Sequence, residues 1–241
     1  MDTTVINEQE IEALFNASVH VGYSKARRHP KMKENIFSTR NNLDIFDLRI
    51  TLERLRQAEE FLKALGRGVE LVLWVGSKPA ASSHIERAAE KTNTPCVSRR
   101  WLGWTLTNFK IISDRLLYWA KLEEEAKSAD FEKYSKKERL LKTIELEKLL
   151  KIFGGIRKLK RLPSAVIIVD PNKEKTAMSE ARRKNIPVVA ILNSDCNVAG
   201  IAYPIPANDN ASLSVGLILE KLASAYETGL KTPAETPEKK Q

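Results

Sequence analysis

A chain of 241 residues, 42% of them hydrophobic, is long enough to bury a substantial core, and 40 Lys and Arg against 31 Asp and Glu leave a net charge of +9. That balance favours a polyanionic partner without naming one. No apolar run approaches the roughly 18 residues of a membrane span. The opening, Met1 to Glu12, carries four acids and no base, which argues against a secretory or organellar leader, and two cysteines, Cys96 and Cys196, make neither a disulfide framework nor a metal spacing. The expectation is a cytoplasmic globular protein with reduced thiols, no cofactor and no bound metal.

Residues Ile6 to Ala17 have the spacing of a short amphipathic helix, with Ile11, Leu14 and Phe15 on one side. A basic loop follows: Lys25, Arg27, Arg28, Lys31 and Lys33 surround Pro30, and no acid occurs from Ala13 to Lys33. Cations without a local counter-charge repel one another unless an anion lies across them, so the stretch reads as a polyanion contact, or else as a solvated loop. Leu43 to Phe46 reads as a strand, Asp47 as the cap of a helix carrying Leu48, Leu52, Leu55, Leu62 and Leu65, and Gly66 with Gly68 as its stop. Val69 to Val75 is nearly continuous apolar sequence, as in a strand covered on both faces, and the three elements together predict a β-α-β unit.

Gly76-Ser77-Lys78-Pro79 turns that strand into a helix over Ala80 to Lys91, with Pro79 in the first turn. A glycine turn before a helix N-terminus can hold phosphate, but neither G-x-G-x-x-G nor G-x-x-x-x-G-K-S/T is present. Pro95 to Ser98 is the next strand. It delivers the chain to a hinge, Ser98 to Lys110, which combines Arg99, Arg100 and Lys110 with Trp101, Leu102, Trp104, Leu106 and Phe109, with Gly103 permitting a sharp turn. The tryptophans read either as core or hinge packing or as part of the functional surface. The arginine pair reads as a nucleic-acid contact, with plain surface charge as the alternative.

From Leu106 to Gly154 two apolar stripes appear, Leu106, Phe109, Ile112, Leu116 and Trp119, then Leu146, Leu149, Leu150 and Phe153. They predict an antiparallel helical hairpin, coiled-coil in character, with its tip near Asp130 to Ser135. Gly154 and Gly155 end its second helix, and Arg157, Lys158, Lys160 and Arg161 form another acid-free cluster at the hairpin's base, near the hinge arginines if the helices are antiparallel. The β/α rhythm then resumes: strands at Ala165 to Val169, Val188 to Leu192 and Ala202 to Ile205, and helices at Glu174 to Lys184 and Asp209 to Thr228, the last opened by Asn208 and Asp209 as caps.

The expected fold is α/β, a doubly wound, mostly parallel sheet with an inserted antiparallel helical hairpin. The expected domains are an α/β unit in two pieces, 1–105 and 155–228, the hairpin insertion 106–154, and a polar, disordered tail over 229–241. His20, His29 and His84 are scattered without a metal spacing. Asp170, Asp195 and Asp209 fall near one sheet edge, where they could hold a cation with His20 or cap turns and helices; capping is the preferred reading. Three function classes fit: a structural RNA-binding component, a nucleotide-dependent enzyme using Gly76 to Lys78, and an interaction module presenting the hairpin.

Taken together, Arg100-Trp101-Leu102-Gly103 with Leu106-Thr107-Asn108, His29-Pro30-Lys31-Met32, Gly154-Gly155-Ile156, Pro163 to Pro171, Ile186-Pro187 and Ile205-Pro206-Ala207-Asn208-Asp209 resemble the bacterial small-subunit ribosomal protein two family, in one order over about residues 8 to 228. The resemblance implies a doubly wound domain with a protruding coiled-coil hairpin and no catalytic activity. It implies ribosomal RNA at the junction of the small subunit's head and body as the ligand, and neighbouring small-subunit proteins as partners, including the large, flexible first one, which it helps dock. By position, Lys25, Arg27, Arg28, Lys31, Lys33, Arg40, Arg99, Arg100, Lys110, Arg157, Lys158, Lys160 and Arg161 would face RNA. The chain departs from the family's usual pattern at Tyr23 and Trp104, where His and Gly are common, and in Asn193-Ser194-Asp195-Cys196-Asn197-Val198, which replaces Asp-Thr-Asn-Cys-Asp-Pro.

Overall fold

The chain opens with a short helix, α1 (Glu8–Asn16), followed by an antiparallel sheet of β1 (Val21–Ser24), β2 (Ile36–Arg40) and β3 (Leu43–Phe46) in the order β1-β3-β2. The computed structural model describes residues 8–232, so Ile6 and Asn7 of the expected first helix lie outside it. Asn41 and Asn42 both have positive φ, 47° and 63°, as a two-residue hairpin turn between β2 and β3 requires. The basic stretch between β1 and β2 is not open loop: it winds into two 3-10 turns, Lys25–Arg27 and Pro30–Asn35, the second capped by His29 Nδ1, which accepts from the Lys31 amide. Pairing with β1 and β2 also corrects the β-α-β reading of Leu43 to Val75, because β3 belongs to this small sheet and not to the parallel one.

Asp47 caps α2 (Leu48–Arg67) as expected, its carboxylate accepting from the Arg49 amide at 2.9 Å. Then come β4 (Val72–Val75), α3 (Pro79–Thr92), β5 (Cys96–Val97), α4 (Phe109–Lys127), α5 (Lys136–Phe153), β6 (Ala165–Val169), α6 (Lys175–Arg183), β7 (Val188–Leu192), β8 (Tyr203–Pro206) and α7 (Ser212–Lys231). The larger sheet runs β5-β4-β6-β7-β8 with every pairing parallel. β4, β6 and β7 are buried along their whole length, which explains why they read as unbroken apolar runs instead of alternating ones.

Alternate residues of those strands enter two cores. Val72, Trp74, Ile167 and Val189 pack with α1, α2, α3 and α7 on one face, while Leu73, Val75, Ile168 and Ala190 pack with α6, the hinge and the roots of the inserted helices on the other. The α/β, doubly wound expectation is therefore met, with the small antiparallel sheet as an unforeseen addition. On the first face α2 and α7 cross closely. Gly66 sits inside α2, not at its end; a methyl there would strike the Tyr226 carbonyl, and one at Gly229 would strike the Lys63 carbonyl. Gly68 is the cap of α2.

Two boundaries near the C-terminus also shift. Asn208 accepts from the amides of Asn210 and Ala211, which forms a turn before α7, so that helix begins at Ser212 and Asp209 does not cap it. Gly229 to Lys231 are helical, and residues 233–241 of the expected tail lie outside the described residues. Between β5 and β6, α4 and α5 pair through Trp119, Leu122 and Leu149, with Tyr118 donating to Glu145 and Lys142 pairing with Glu125. A 3-10 turn at Ala129–Lys133 joins them, and Ser135 with Glu138 forms a capping box at the start of α5.

Candidate nucleic-acid interface

The hinge leaves β5 with Arg99 and Arg100 exposed and then folds back over α6. What holds it is a single buried carboxylate. Glu180 accepts from the Trp101 indole N–H at 2.9 Å, from the amides of Trp104, Leu106 and Thr107 at 2.7, 2.9 and 3.1 Å, and from the Thr107 hydroxyl at 3.2 Å. Burial alone would raise its pKa, but these donors stabilise the ionised form and hold the carboxyl below the ordinary range. Glu180 was missed in the sequence, although it lies on the same helix face as buried Ala177, Met178 and Ala181, where a carboxylate needs donors. The sharp turn falls one residue after Gly103: Trp104 has φ 65°, a left-handed conformation costing a bulky residue on the order of 1–3 kcal/mol, which the Glu180 bonds over-determine.

The root of the inserted helices meets this hinge. Gly155 lies so close to β5 that a Cβ would strike the Cys96 carbonyl, and beyond it Ile156 and Leu159 are buried beneath the sheet. Between hinge and root opens a groove of about 820 Å³, lined among others by Arg99, Arg100, Lys151, Arg157 and Lys158, and also by Glu86 and Glu90. Two clusters distant in sequence therefore share one concave surface. Lys110, in the first turn of α4, is exposed nearby in the chain, and so are Lys160 and Arg161 beyond the groove.

The premise that these cations lack counter-charges is corrected by the fold. Arg157 pairs with Glu123 and lies 4.9 Å over the Trp119 ring, Lys158 donates to Asn93, and Arg161 pairs with Glu70 at 3.1 Å. Arg157 is 56% exposed in its pair, and surface pairs of this kind are worth about 0–1 kcal/mol, little enough for a phosphate to compete. Arg99, Arg100, Lys110 and Lys160 have no ion pair among the described residues. The third cluster lies elsewhere, on the small sheet: Arg27 pairs with Asp195 and stacks 4.0 Å over Tyr23, while Arg28 pairs at 3.3 Å with fully buried Asp44. Lys25, Lys31, Lys33 and Arg40 are exposed there, and none of the cluster lines the groove.

Residues 14–229 match the family model for ribosomal protein S2. Similar chains include small ribosomal subunit protein uS2 of Dictyoglomus thermophilum, 43% identical over 91% of this chain and 89% of the relative, and those of Rhodococcus opacus and Roseiflexus castenholzii, each 42% identical, covering 93% and 91% of this chain and 78% and 83% of the relatives. The chain belongs to the ribosomal protein S2 family. It is thus a structural protein of the small ribosomal subunit, acting in translation, and not an enzyme.

In this S2 chain the place where α/β enzymes bind ligands is filled by its own side chains. Connections leave β4 and β6 toward opposite ends of the sheet, so the crevice beyond their carboxyl ends is the topological switch point. There Lys78 reaches Asp170 at 2.7 Å and Asp209 at 2.8 Å, and the Ser77 hydroxyl and amide both donate to Glu174. Burial would lower the Lys78 pKa, but the two carboxylates hold the ammonium above its ordinary range. The cation held by Asp170 and Asp209 is therefore Lys78, not an ion shared with His20, whose ring stacks on Phe15. Asp170 also accepts from the amides of Asn172 and Lys173, as the capping reading anticipated, and Asp195 is taken by Arg27. Both cysteines are free and buried; burial pushes their thiols up, to about 11 for Cys96 and about 12 for Cys196, so neither is a ready nucleophile.

Proposed function

We propose that this S2 chain binds small-subunit ribosomal RNA through the groove between hinge and hairpin root, with the cationic edge of the small sheet as a second contact, at the junction of the subunit's head and body in the bacterial cytoplasm. The observation that carries this reading is the convergence of Arg99 and Arg100 with Arg157 and Lys158 on one concave surface, from segments separated by the whole hairpin. Cations so gathered match a phosphate backbone in charge, and phosphate contacts position a protein without reading sequence. The paired helices leave Leu117, Leu140, Leu141 and Ile144 more than half exposed, an apolar surface suited to a neighbouring protein. The large first protein of the subunit is the proposed occupant.

Filter binding of the full chain to small-subunit ribosomal RNA tests the reading. Affinity falls steeply between low and moderate salt, with a log–log slope of about 0.7–0.9 per phosphate neutralised. The double reversals R99E/R100E and R157E/K158E each weaken binding by about ten-fold or more and lower incorporation into small subunits at unchanged melting temperature, whereas K136E/K137E, at the start of α5 beside Glu138, has a smaller effect. A salt-independent affinity, or normal incorporation of both double reversals, is the contrary result.

A further inference from the structure

We propose that Trp104 is a stacking platform for an unpaired RNA base, presented by the same hinge loop that carries Arg99 and Arg100. The inference rests on the RNA-binding reading above and assigns a residue to it that charge alone does not identify.

Of the four tryptophans, Trp74, Trp101 and Trp119 are 0%, 8% and 2% exposed, each inside a core, while Trp104 is 72% exposed. A large aromatic in solvent, at a position whose φ of 65° disfavours any side chain, is favoured there neither by burial nor by backbone conformation. The loop's backbone is nonetheless braced on both sides of the indole. The Trp104 amide donates to Glu180 at 2.7 Å and its carbonyl accepts from Asn108 at 2.9 Å, so the indole's base is fixed before any partner arrives and little ordering cost falls on binding. The acid that holds the loop is itself only 4% exposed, and its charge is met by the five donors described above.

The surroundings select the partner. Arg99 and Arg100 precede Trp104 on the same loop, exposed and without ion pairs among the described residues. An exposed aromatic on a loop that also carries unpaired guanidinium groups is a combination that binds unpaired nucleic acid, the base stacking on the ring while its phosphates meet the cations. An apolar protein partner is better matched by the exposed leucines of the hairpin, where the flanking charge is mixed.

The test uses the full chain, small-subunit ribosomal RNA, and the variants W104G and W104F. Glycine tolerates the left-handed conformation, so W104G keeps or raises the melting temperature; it nevertheless weakens RNA affinity about ten-fold, the usual effect of removing one stacked base, with an unchanged salt slope. W104F recovers most of that loss. Emission from the one exposed indole is quenched on binding in the wild type, and W104G lacks that component. Wild-type-like affinity in W104G, or a loss that W104F does not recover, overturns the proposal while steep salt-dependent binding by the wild type leaves the broader reading standing. If the wild-type chain does not bind the RNA at all, both readings fall.

Discussion

Glu180 shows how one buried side chain sets the surface above it. Its carboxylate organises the turn that exposes Arg99, Arg100 and Trp104, and no residue of the hinge supplies an equivalent acceptor. E180Q replaces one oxygen by an amide that cannot accept, leaving donors at Leu106 and Thr107 unpaired. Denaturant unfolding is expected to show a loss of about 2–4 kcal/mol at neutral pH. Because the folded-state pKa is depressed, the carboxylate's contribution is present above the unfolded value of about 4.3 and disappears as pH falls through the folded one. The difference between wild type and E180Q should therefore be largest near neutrality and shrink below about pH 4. A pH-independent difference would mean that shape, not ionisation, matters there.

At the scale of elements, the crossing of α2 and α7 depends on two glycines whose missing side chains let backbones touch. Helix propensity alone would make G66A stabilising by about 1 kcal/mol, since alanine is the better helix former. Packing reverses the sign: the added methyl meets the Tyr226 carbonyl, backbone that cannot swing away, and either the helices separate or the cores on both sides loosen. Thermal unfolding should show G66A destabilised by about 2 kcal/mol or more, and a melting temperature at or above wild type would refute the close-contact account. The same contrast explains why Gly66 looked like a stop signal in the sequence. A glycine that ends a helix and one that lets two helices meet are identical until the partner helix is in place.

For the molecule as a whole, Lys78 ties the end of β4 to the segments following β6 and β8, joining parts of the sheet that lie more than ninety residues apart in the chain. Its side chain is 13% exposed, and Asp209's only 1%, so K78M leaves buried carboxylates uncompensated. The expected cost is about 3–5 kcal/mol by denaturant unfolding; Lys78 does not line the groove, so the groove's share of the RNA affinity is kept wherever the variant is still folded. A K78M chain as stable as wild type would show that those acids find other partners.

Much of this architecture was legible in the chain. β6 and β7 were read to the residue, because strands buried on both faces have a composition that solvent-exposed segments cannot carry. Asp47 announced α2 by a local bond that needs no tertiary context. The three cationic clusters were visible as runs without acids, and six separated motifs in one order pointed to the family. By contrast, the small antiparallel sheet was not read, because β1 and β2 are short and half-exposed and their pairing depends on a hairpin turn, signalled only by Asn41 and Asn42.

The sequence by itself fixed what is local or additive: charge, apolar runs, caps and the order of elements, all of which depend on neighbours along the chain. Which charges stay free depends on how the chain packs. Packing gave Arg28 to Asp44, Arg161 to Glu70 and Lys78 to two aspartates, and it brought Arg99 and Arg100 beside Arg157 and Lys158. The reason is physical. Coulombic and hydrogen-bonding partners are chosen by distance in space, and a parallel sheet, whose connections must cross from end to end, sets side chains against partners tens of residues away.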